Sequence, residues 1–379
     1  MMILGDGPAE ATGLGRIARD LTAQMVTSGL PIDLVQVGGR VPPAWLPWRH
    51  FPLERGEDWG ASCAVELWQS IFGSEPGILF VIWDPGRLAA YMDLPLPVQK
   101  WAYTAIDADN INGSIGGPAR AAIERFDEVL AYGRWGSEIL RTVRPKVSYL
   151  PHGLMLKTYT EAPTVEEATW VRSALGPYLR STDTLIGCVA TNQPRKDLGL
   201  FCHTLATMRD RGQKVYGWLH TDTLVKDWAV QQLLEDFGLM KSVTVSTPGY
   251  TDRQLALLYQ VCDVTIAPGL GEGFGYPIVE SLAAGTPVVH GDWAGGKELI
   301  PKIEWRFPVR ATRLESVYAL RRPVFQADDV ANAVRRALDW RDEVGQETAR
   351  AYCQGSVAHL DWAALWPRWE SWIRSRLHG

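Results

Sequence analysis

Short runs rich in Val, Ile and Leu recur along the chain and alternate with segments of helical pattern. Such alternation is typical of parallel strands that helices cover on both faces, so the pattern predicts an α/β fold. The runs are IDLVQV (32–37), GILFVI (77–82), DEVLAY (127–132), KVSYLP (146–151), TLIGCVA (184–190), VYGWLH (215–220), SVTVST (242–247), DVTIAP (263–268) and TPVVHG (286–291).

The run pattern lapses between Pro151 and Thr184, where polar residues and prolines stand instead. A chain of 379 residues is long enough for two domains that each bury a core. The sequence therefore predicts an N-terminal domain over residues 1–160 and a C-terminal domain over 161–350.

Residues 351–379 form a third predicted segment, a C-terminal helix that packs back on the N-terminal domain. Apolar residues recur there at i, i+3, i+4 and i+7 spacing, which is typical of an amphipathic helix. Pro367 is expected to kink or restart this helix. The apolar positions are Trp362, Leu365, Trp366, Trp369, Trp372 and Ile373.

The composition is that of a soluble globular protein, with 46% hydrophobic and 21% charged residues. A net charge of -5 gives no overall attraction to nucleic acids or anionic membranes, although a local basic patch could still bind either. The 5 cysteines are scattered and lack C-x-x-C spacing, so they indicate free thiols. Without a signal-peptide pattern or a run of ~18 apolar residues, we expect a cytoplasmic protein.

The most informative segment is APGLGEGFGYPIVESLAAGTPVV (267–289), which has the pattern strand, glycine-rich loop, short helix, strand. Pro277 suits the first helical position, and Gly285 suits the position just past the helix end. The pattern therefore predicts a helix over residues 278–284.

An anion and a hydroxyl-rich ligand both fit this loop. Gly273 and Gly275 allow close approach of the backbone, and the amides of residues 274–276 would face an anion at the helix start. Glu272 and Glu280 can each accept paired hydrogen bonds from vicinal hydroxyls of a sugar or a ribose. Together they predict a site at the carboxyl edge of the sheet.

Two adjacent cations, Arg195 and Lys196, follow the strand in CVATNQPRKDLGLF (188–201). Cations at a strand end can neutralise a diphosphate leaving group. The alternative is a solvated Arg-Lys pair capped by Asp197.

The motif E-G-F-G-Y-P-I-V-E followed by A-A-G-T-P-V-V resembles the signature of the retaining GT-B glycosyltransferases, in particular family GT4. The resemblance extends over residues 185–300. It includes PGYTDRQLALLYQVCDV (248–264) and the G-G-x-E-L-I pattern at residues 295–300.

This resemblance implies the GT-B fold, in which two Rossmann-like domains face each other across a cleft. It implies that Glu272 lies at the donor sugar, that Glu280 binds the ribose, and that Arg195 and Lys196 assist catalysis. The residues that it assigns to donor binding are Gly13, Gly15, Gly273, Phe274, Gly275, Tyr276, Pro277, Glu280 and Tyr250.

Gly13 and Gly15 belong to the N-terminal segment ATGLGRIARDL (11–21), whose G-x-G also fits a dinucleotide fingerprint. That alternative requires an acidic residue at the end of the second strand, where IDLVQVGG offers Gln36 and Gly38 instead. A dehydrogenase is therefore disfavoured.

The N-terminal domain departs from the family because no histidine stands at the strand ends where many GT4 enzymes carry one. The polar residues there are Asp84, Asp107 and Asp109, of which Asp107 is the first candidate for a sugar or acceptor contact. His152, in LPHGL, is expected to serve a structural turn.

The sequence thus predicts a retaining, metal-independent hexosyltransferase whose co-substrate is a nucleoside diphosphate sugar, a UDP- or GDP-sugar being expected, with no other cofactor. A sugar-nucleotide epimerase and a non-catalytic sugar-nucleotide-binding subunit are the alternatives. The acceptor stays open among a glycan, a lipid-linked sugar, a small molecule and a modified nucleic-acid base. Arginines at 306, 310, 313, 321 and 322 could meet phosphates or form a surface with internal ion pairs.

Overall fold

The predicted apolar runs contribute strands to two separate parallel sheets. The computed structural model describes residues 1–10, 12–39, 46–53, 60–315 and 318–377. Ala11, the first residue of the predicted glycine-rich segment, lies outside them. The chain divides into two units, Met1–Gly153 with Glu315–Leu320 and Trp362–Gly379, and Leu154–Leu314 with Arg321–Asp361.

The first unit contains a seven-stranded sheet with the order β3-β2-β1-β4-β5-β6-β7. Its strands are β1 Met2–Leu4, β2 Val35–Val37, β3 Arg49–Phe51, β4 Gly77–Ile82, β5 Val98–Thr104, β6 Glu128–Ala131 and β7 Ser148–Tyr149. Its first four helices are α1 Gly13–Thr27, α2 Ala61–Phe72, α3 Gly117–Arg125 and α4 Arg134–Arg141. Strands β1 and β4 in the middle of the sheet are apolar and almost fully buried, as expected where helices cover both faces.

The second unit contains a six-stranded sheet with the order β10-β9-β8-β11-β12-β13. Its strands are β8 Thr184–Val189, β9 Val215–His220, β10 Val243–Ser246, β11 Val264–Ala267, β12 Val288–Gly291 and β13 Arg306–Phe307. Its helices are α5 Leu156–Thr160, α6 Val165–Leu175, α7 Leu198–Asp210, α8 Val230–Asp236, α9 Asp252–Val261, α10 Tyr276–Ala283, α11 Ala327–Val344 and α12 Gln346–Val357. A separate two-stranded sheet pairs β14 Ala311–Glu315 with β15 Leu320–Val324.

Each large sheet has a point where the strand order reverses. In the first sheet β1 pairs in parallel with both β2 and β4. In the second sheet β8 pairs in parallel with both β9 and β11. Ligands of open α/β sheets bind beyond the carboxyl ends of the strands at such a reversal. The loops after β8 and β11 therefore occupy the expected ligand position of the second unit.

The two Rossmann-like α/β domains predicted from the sequence are confirmed, and each of the apolar runs contains a strand. Helix α10 begins at Tyr276, two residues before the predicted start, so Pro277 is its second residue rather than its first. The reason is that Gly275 adopts a left-handed conformation, φ 100°, and acts as the N-cap. Gly285 follows the helix end with φ +87°, as predicted.

The boundary between the units lies after Gly153, earlier than the predicted residue 160. Helix α5 belongs to the second unit because its Tyr159 donates a hydrogen bond to Glu280 and accepts one from Gln260. Residues 351–361 also belong to the second unit, since Arg350 on α12 lies directly against Gly285.

The last helix, α13 Trp362–Leu377, belongs to the first unit. It continues through Pro367, so the helix does not restart there. The Nε1–H of Trp369 donates to the Pro151 carbonyl oxygen at 2.9 Å, and that of Trp372 donates to Ser148 Oγ at 3.0 Å. Trp372 also packs edge-on against Trp101 of β5. The indole rings of Trp369 and Trp372, whose N–H groups are hydrogen-bonded, thus attach α13 to the unit that contains β5 and β7.

All five cysteines carry free thiols, and four of them are buried. Within the described part of the chain, no helix combines the length and the apolar character that crossing a bilayer requires.

We expect Trp369→Ala to destabilise the first unit by about 3–5 kcal/mol, because it removes a large buried ring and leaves the Pro151 carbonyl oxygen without its donor. Trp369→Phe should cost less, since it keeps most of the packing. Urea unfolding followed by far-UV circular dichroism measures the difference. Ser371→Ala, at an exposed position of the same helix, is the control and should leave the midpoint unchanged.

Candidate functional site

The structure brings together three of the predicted catalytic residues at the carboxyl edge of the second sheet. Lys196 Nζ lies 2.6 Å from Glu272 Oε1, and Arg195 Nη1 lies 3.8 Å from Glu272 Oε2. Glu272 is 8% exposed and Lys196 is 9% exposed. The alternative of a solvated Arg-Lys pair is therefore wrong for Lys196, which is buried against a carboxylate.

Backbone contacts fix the loops that carry these side chains. The Arg195 carbonyl oxygen accepts a hydrogen bond from Leu270 N at 2.7 Å, and Arg195 Nη1 donates to the Gly271 carbonyl oxygen at 3.1 Å. A Cβ atom on Gly269 would lie 2.7 Å from Glu272 Oε1. The loop after β11 thus needs glycine at 269 because the Glu272 carboxylate occupies the space of a side chain.

Opposing effects set the ionisation of Glu272. Burial raises the pKa of its carboxyl group, but the charges of Lys196 and Arg195 and the Lys196 hydrogen bond outweigh burial, so the pKa is lowered. Glu272 is therefore an anion at neutral pH. With two cations beside one carboxylate, the cluster carries an excess of positive charge.

The glycine-rich loop and α10 follow directly from this carboxylate. Pro277 has no N–H, and the N–H of Ile278 donates to the Gly275 carbonyl oxygen at 3.0 Å. The predicted anion cradle therefore depends on the amides of residues 273–276. Phe274 and Tyr276 contact each other edge-to-face at 5.4 Å within this segment.

Glu280, the second predicted glutamate, lies on α10 and is 4% exposed. Its Oε1 accepts from the Tyr159 hydroxyl at 3.1 Å, and its Oε2 accepts from the Tyr259 hydroxyl at 3.0 Å. Sequence reasoning did not single out either tyrosine. Neither lies within ten residues of Glu280 along the chain, so no local motif pointed to them.

The G-G-x-E-L-I segment packs backbone to backbone against the Glu272 loop. A Cβ atom on Gly295 would lie 2.7 Å from the Glu272 carbonyl oxygen. A Cβ atom on Gly296 would lie 2.3 Å from His290 Nε2. Close approach thus accounts for both glycines of the motif.

His290 is a buried residue of this site that sequence reasoning missed. It lies near the end of β12 and is 0% exposed, and its Nδ1 bonds to the Ala267 carbonyl oxygen at 2.7 Å. Burial lowers the pKa of His290, so the ring is neutral at pH 7, although the Ala267 carbonyl and Glu272 act in the opposite direction. Its position at the end of a parallel strand was the available signal.

Tyr250 lies beside a second histidine that sequence reasoning did not nominate. Its ring stacks on His220 with centroids 5.5 Å apart and an interplanar angle of 16°. His220 ends β9, and its Nδ1 lies 2.9 Å from Ser246 Oγ at the end of β10. Burial lowers the pKa of His220 to about 4, so its imidazole ring is uncharged at pH 7.

The remaining candidates lie in the first unit. Gly13 opens α1 at an exposed position, and Gly15 is buried, its N–H donating to the Thr12 hydroxyl at 2.9 Å. A Cβ atom on Gly15 would lie 2.6 Å from the Gly7 carbonyl oxygen, so this glycine is required by packing. Thr12 also bonds to Asp6, which follows β1.

Three aspartates follow the adjacent strands β4 and β5 of the first sheet. Asp84 is exposed, Asp107 is partly buried, and Asp109 is 1% exposed. Asp84 and Asp107 are thus the two that a solute can reach. His152 is fully buried, with its Nδ1 3.1 Å from the Tyr103 hydroxyl, in agreement with a structural role.

Internal contacts engage most of the arginine-rich stretch. Arg310 pairs with Asp329, Arg306 lies 3.5 Å from Asp292, and Arg321 lies over the ring of Trp293. Arg322 is buried. These arginines therefore fit the expected surface with internal ion pairs better than a basic patch that binds phosphates.

Lys196→Met is expected to lower the free energy of unfolding at pH 7 by about 3–5 kcal/mol, because it leaves a buried carboxylate without its closest cation. The pKa of Glu272 is lowered in the folded protein, so its stabilising contribution is full above the unfolded pKa and is lost as the pH falls through the folded value. The destabilisation should therefore shrink as the pH falls below the ordinary glutamate pKa, where a protonated Glu272 no longer needs the cation. Melting temperatures between pH 3 and 7 test this. Arg195→Met should cost less, since its contact is longer and its side chain is 29% exposed.

Gly296→Ala should also destabilise the second unit, because the new methyl group would collide with His290. Combining it with His290→Ala should restore part of the loss, so that the two effects are not additive. Additive melting-temperature changes in the four proteins of this cycle would contradict the close contact.

Comparison with known proteins agrees with this geometry. Residues 183–338 match the family described as "Glycosyl transferases group 1". The chain is 24% identical over 185 residues to the serotype-specific mannosyltransferase WbdA of Escherichia coli, covering 48% of this chain and 20% of that protein. It is 31% identical over 110 residues to the MMP alpha-(1->4)-mannosyltransferase of Mycolicibacterium hassiacum, covering 29% of this chain and 26% of that protein. The chain thus spans between a fifth and about a quarter of the length of these relatives.

Solved structures share the whole fold. Sucrose-phosphate synthase from Thermosynechococcus elongatus superposes with a TM-score of 0.76 at 16% identity, covering 100% of this chain and 98% of that chain. Anabaena HepE in complex with UDP-glucose superposes with a TM-score of 0.72 at 14% identity, covering 99% of each chain. Residues 183–338 are therefore similar to the glycosyl transferases group 1 family, and the chain has the GT-B fold.

Proposed function

We propose that this protein is a retaining glycosyltransferase that moves a sugar from a nucleoside diphosphate sugar to an acceptor. The observation that carries the proposal is the buried contact of Glu272 with Lys196 and Arg195 at the strand-order reversal of the second sheet. The family match, and the UDP-glucose complex of the structurally similar HepE, support a nucleotide-sugar donor.

The proposed reaction breaks the bond between the anomeric carbon and the diphosphate oxygen and forms a bond from that carbon to an acceptor oxygen. The leaving diphosphate gains negative charge as its bond breaks, and Arg195, Lys196 and the loop amides before α10 stabilise it. The acceptor attacks from the face that the diphosphate leaves and passes its proton to a phosphate oxygen. In this scheme two side-chain cations stabilise the leaving diphosphate, and no metal ion is required.

The two glutamates have separate parts in the proposal. Glu272 accepts hydrogen bonds from hydroxyls of the transferred sugar, whereas Glu280 accepts them from the ribose. The stacked rings of Tyr250 and His220 lie at the ends of neighbouring strands and form a flat, uncharged surface suited to a nucleobase. Uridine or guanosine is the proposed base. Asp107 is the candidate contact for the acceptor.

Lys196→Ala is expected to lower kcat by about 10²–10³-fold, the range found when one group that stabilises a developing anion is removed. Glu272→Gln should also lower kcat, while Glu280→Gln should chiefly raise the KM of the donor. Release of UDP from UDP-glucose, or of GDP from GDP-mannose, measures each. Glu167→Gln, a partly exposed glutamate of the same unit that pairs with Arg253, is the matched control and should keep wild-type turnover.

Binding is tested first, by thermal unfolding with UDP, GDP and ADP. A ligand at 100 times its dissociation constant should stabilise the protein by about 2.7 kcal/mol. Binding without nucleotide release in the presence of sugar acceptors would indicate a non-catalytic subunit, and an epimerised donor would indicate the epimerase. Full activity of Glu272→Gln would overturn the role given to that residue. The anomeric configuration of the product, read by proton NMR, tests retention.

A further inference from the structure

Glu280 is held by two tyrosines that reach it from different helices. The Tyr159 hydroxyl on α5 donates to Oε1, and the Tyr259 hydroxyl on α9 donates to Oε2. Tyr159 is 0% exposed, Tyr259 is 1% exposed, and Glu280 is 4% exposed. Each carboxylate oxygen thus has its own phenol donor in a nearly dry environment.

The Tyr259 phenol remains protonated at neutral pH and is a donor toward this carboxylate. Burial and the neighbouring Glu280 charge raise its pKa well above the ordinary tyrosine value. Hydroxyl groups therefore contact Glu280, whereas cations contact Glu272.

Side-chain hydrogen bonds also fix the backbones of the two tyrosines. Gln260 Nε2 donates to the Tyr159 carbonyl oxygen at 2.6 Å and to the Glu161 carbonyl oxygen at 2.9 Å, which ties α9 to α5. Thr286 Oγ1 donates to the Tyr259 carbonyl oxygen at 2.6 Å. The phenols are thus held rigidly, and the plane of the Glu280 carboxylate is held with them.

We propose that Tyr159 and Tyr259 are positioning residues that orient Glu280 for the vicinal hydroxyls of a ribose. The inference rests on the proposed function and adds how its ribose site is built. Each carboxylate oxygen has two lone pairs, so a hydrogen bond from a phenol does not by itself prevent that oxygen from accepting another from a ribose hydroxyl. Because the 2′- and 3′-hydroxyls are fixed relative to each other, a carboxylate held in one plane discriminates ribose from 2′-deoxyribose better than a rotating one.

The structure offers a matched pair of tests and a control. Tyr159→Phe and Tyr259→Phe each remove one hydroxyl and keep the ring. Tyr216→Phe makes the same change at another buried tyrosine of the same unit, whose hydroxyl bonds to Thr244 Oγ1 at 2.8 Å. All four proteins are titrated calorimetrically, as full chains, with UDP and 2′-deoxy-UDP and with GDP and 2′-deoxy-GDP.

Wild type is expected to prefer the ribonucleotide by about tenfold or more, the size of one hydrogen bond to a charged group. Tyr159→Phe and Tyr259→Phe should each weaken ribonucleotide binding by about 5- to 20-fold and deoxyribonucleotide binding by less than about twofold. The preference for ribose should thus fall in both variants. Tyr216→Phe should leave both affinities and their ratio unchanged.

Parallel losses for the ribo- and deoxyribonucleotides would show that the tyrosines are merely structural and would overturn the inference. Unchanged ratios in both variants would do the same while leaving the proposed function intact. Equal binding of ribo- and deoxyribonucleotide by wild type would overturn the ribose role of Glu280 together with this inference, yet nucleotide binding would stand. A wild-type protein that binds neither nucleotide would overturn the proposed function itself. If one variant fails to fold by circular dichroism, the other decides.

Discussion

The buried contact between Lys196 and Glu272, 2.6 Å long, is the constraint on which the candidate site of the second unit depends. Burying a carboxylate and an ammonium group costs several kcal/mol for each, and their attraction offsets that cost only when the geometry is close and further hydrogen bonds are made. The loops after β8 and β11 must therefore keep a fixed spacing. The hydrogen bond from Leu270 N to the Arg195 carbonyl oxygen joins the two loops directly and maintains this spacing.

The same constraint explains where glycine is required around the site. Gly269 leaves room for the Glu272 carboxylate, and Gly295 lets the next loop approach the Glu272 carbonyl oxygen. Gly296 accommodates the His290 ring, which lies under that loop. The glycine-rich pattern suggests a flexible loop in the sequence. In the structure these glycines are required because the Glu272 carboxylate and the His290 ring pack tightly against them.

The sequence predicted the fold well because parallel strands covered on both faces have a strong apolar pattern, as in GILFVI (77–82), which matches β4 residue for residue. The apolar runs did not include β1, β3, β5 or β13; β1, β3 and β13 have only two or three residues, and the first half of β5, VQKWAYT, carries polar residues. Around the site, local motifs predicted Glu272, Glu280 and the Arg195-Lys196 pair. Sequence reasoning missed Tyr159, His220 and His290 because their contacts form only when the chain folds.

The two glutamates differ in the groups that contact them, and this difference bears on the proposed reaction. Glu280 accepts hydrogen bonds from the hydroxyls of Tyr159 and Tyr259. Glu272 is held by cations, for which a diphosphate is a competing partner of higher charge. Donor binding would therefore draw Lys196 and Arg195 toward the phosphates and leave Glu272 as a stronger acceptor for the sugar hydroxyls. In the proposed reaction, the ion pair of the free protein would thus hold the cations and the carboxylate in place until the donor binds.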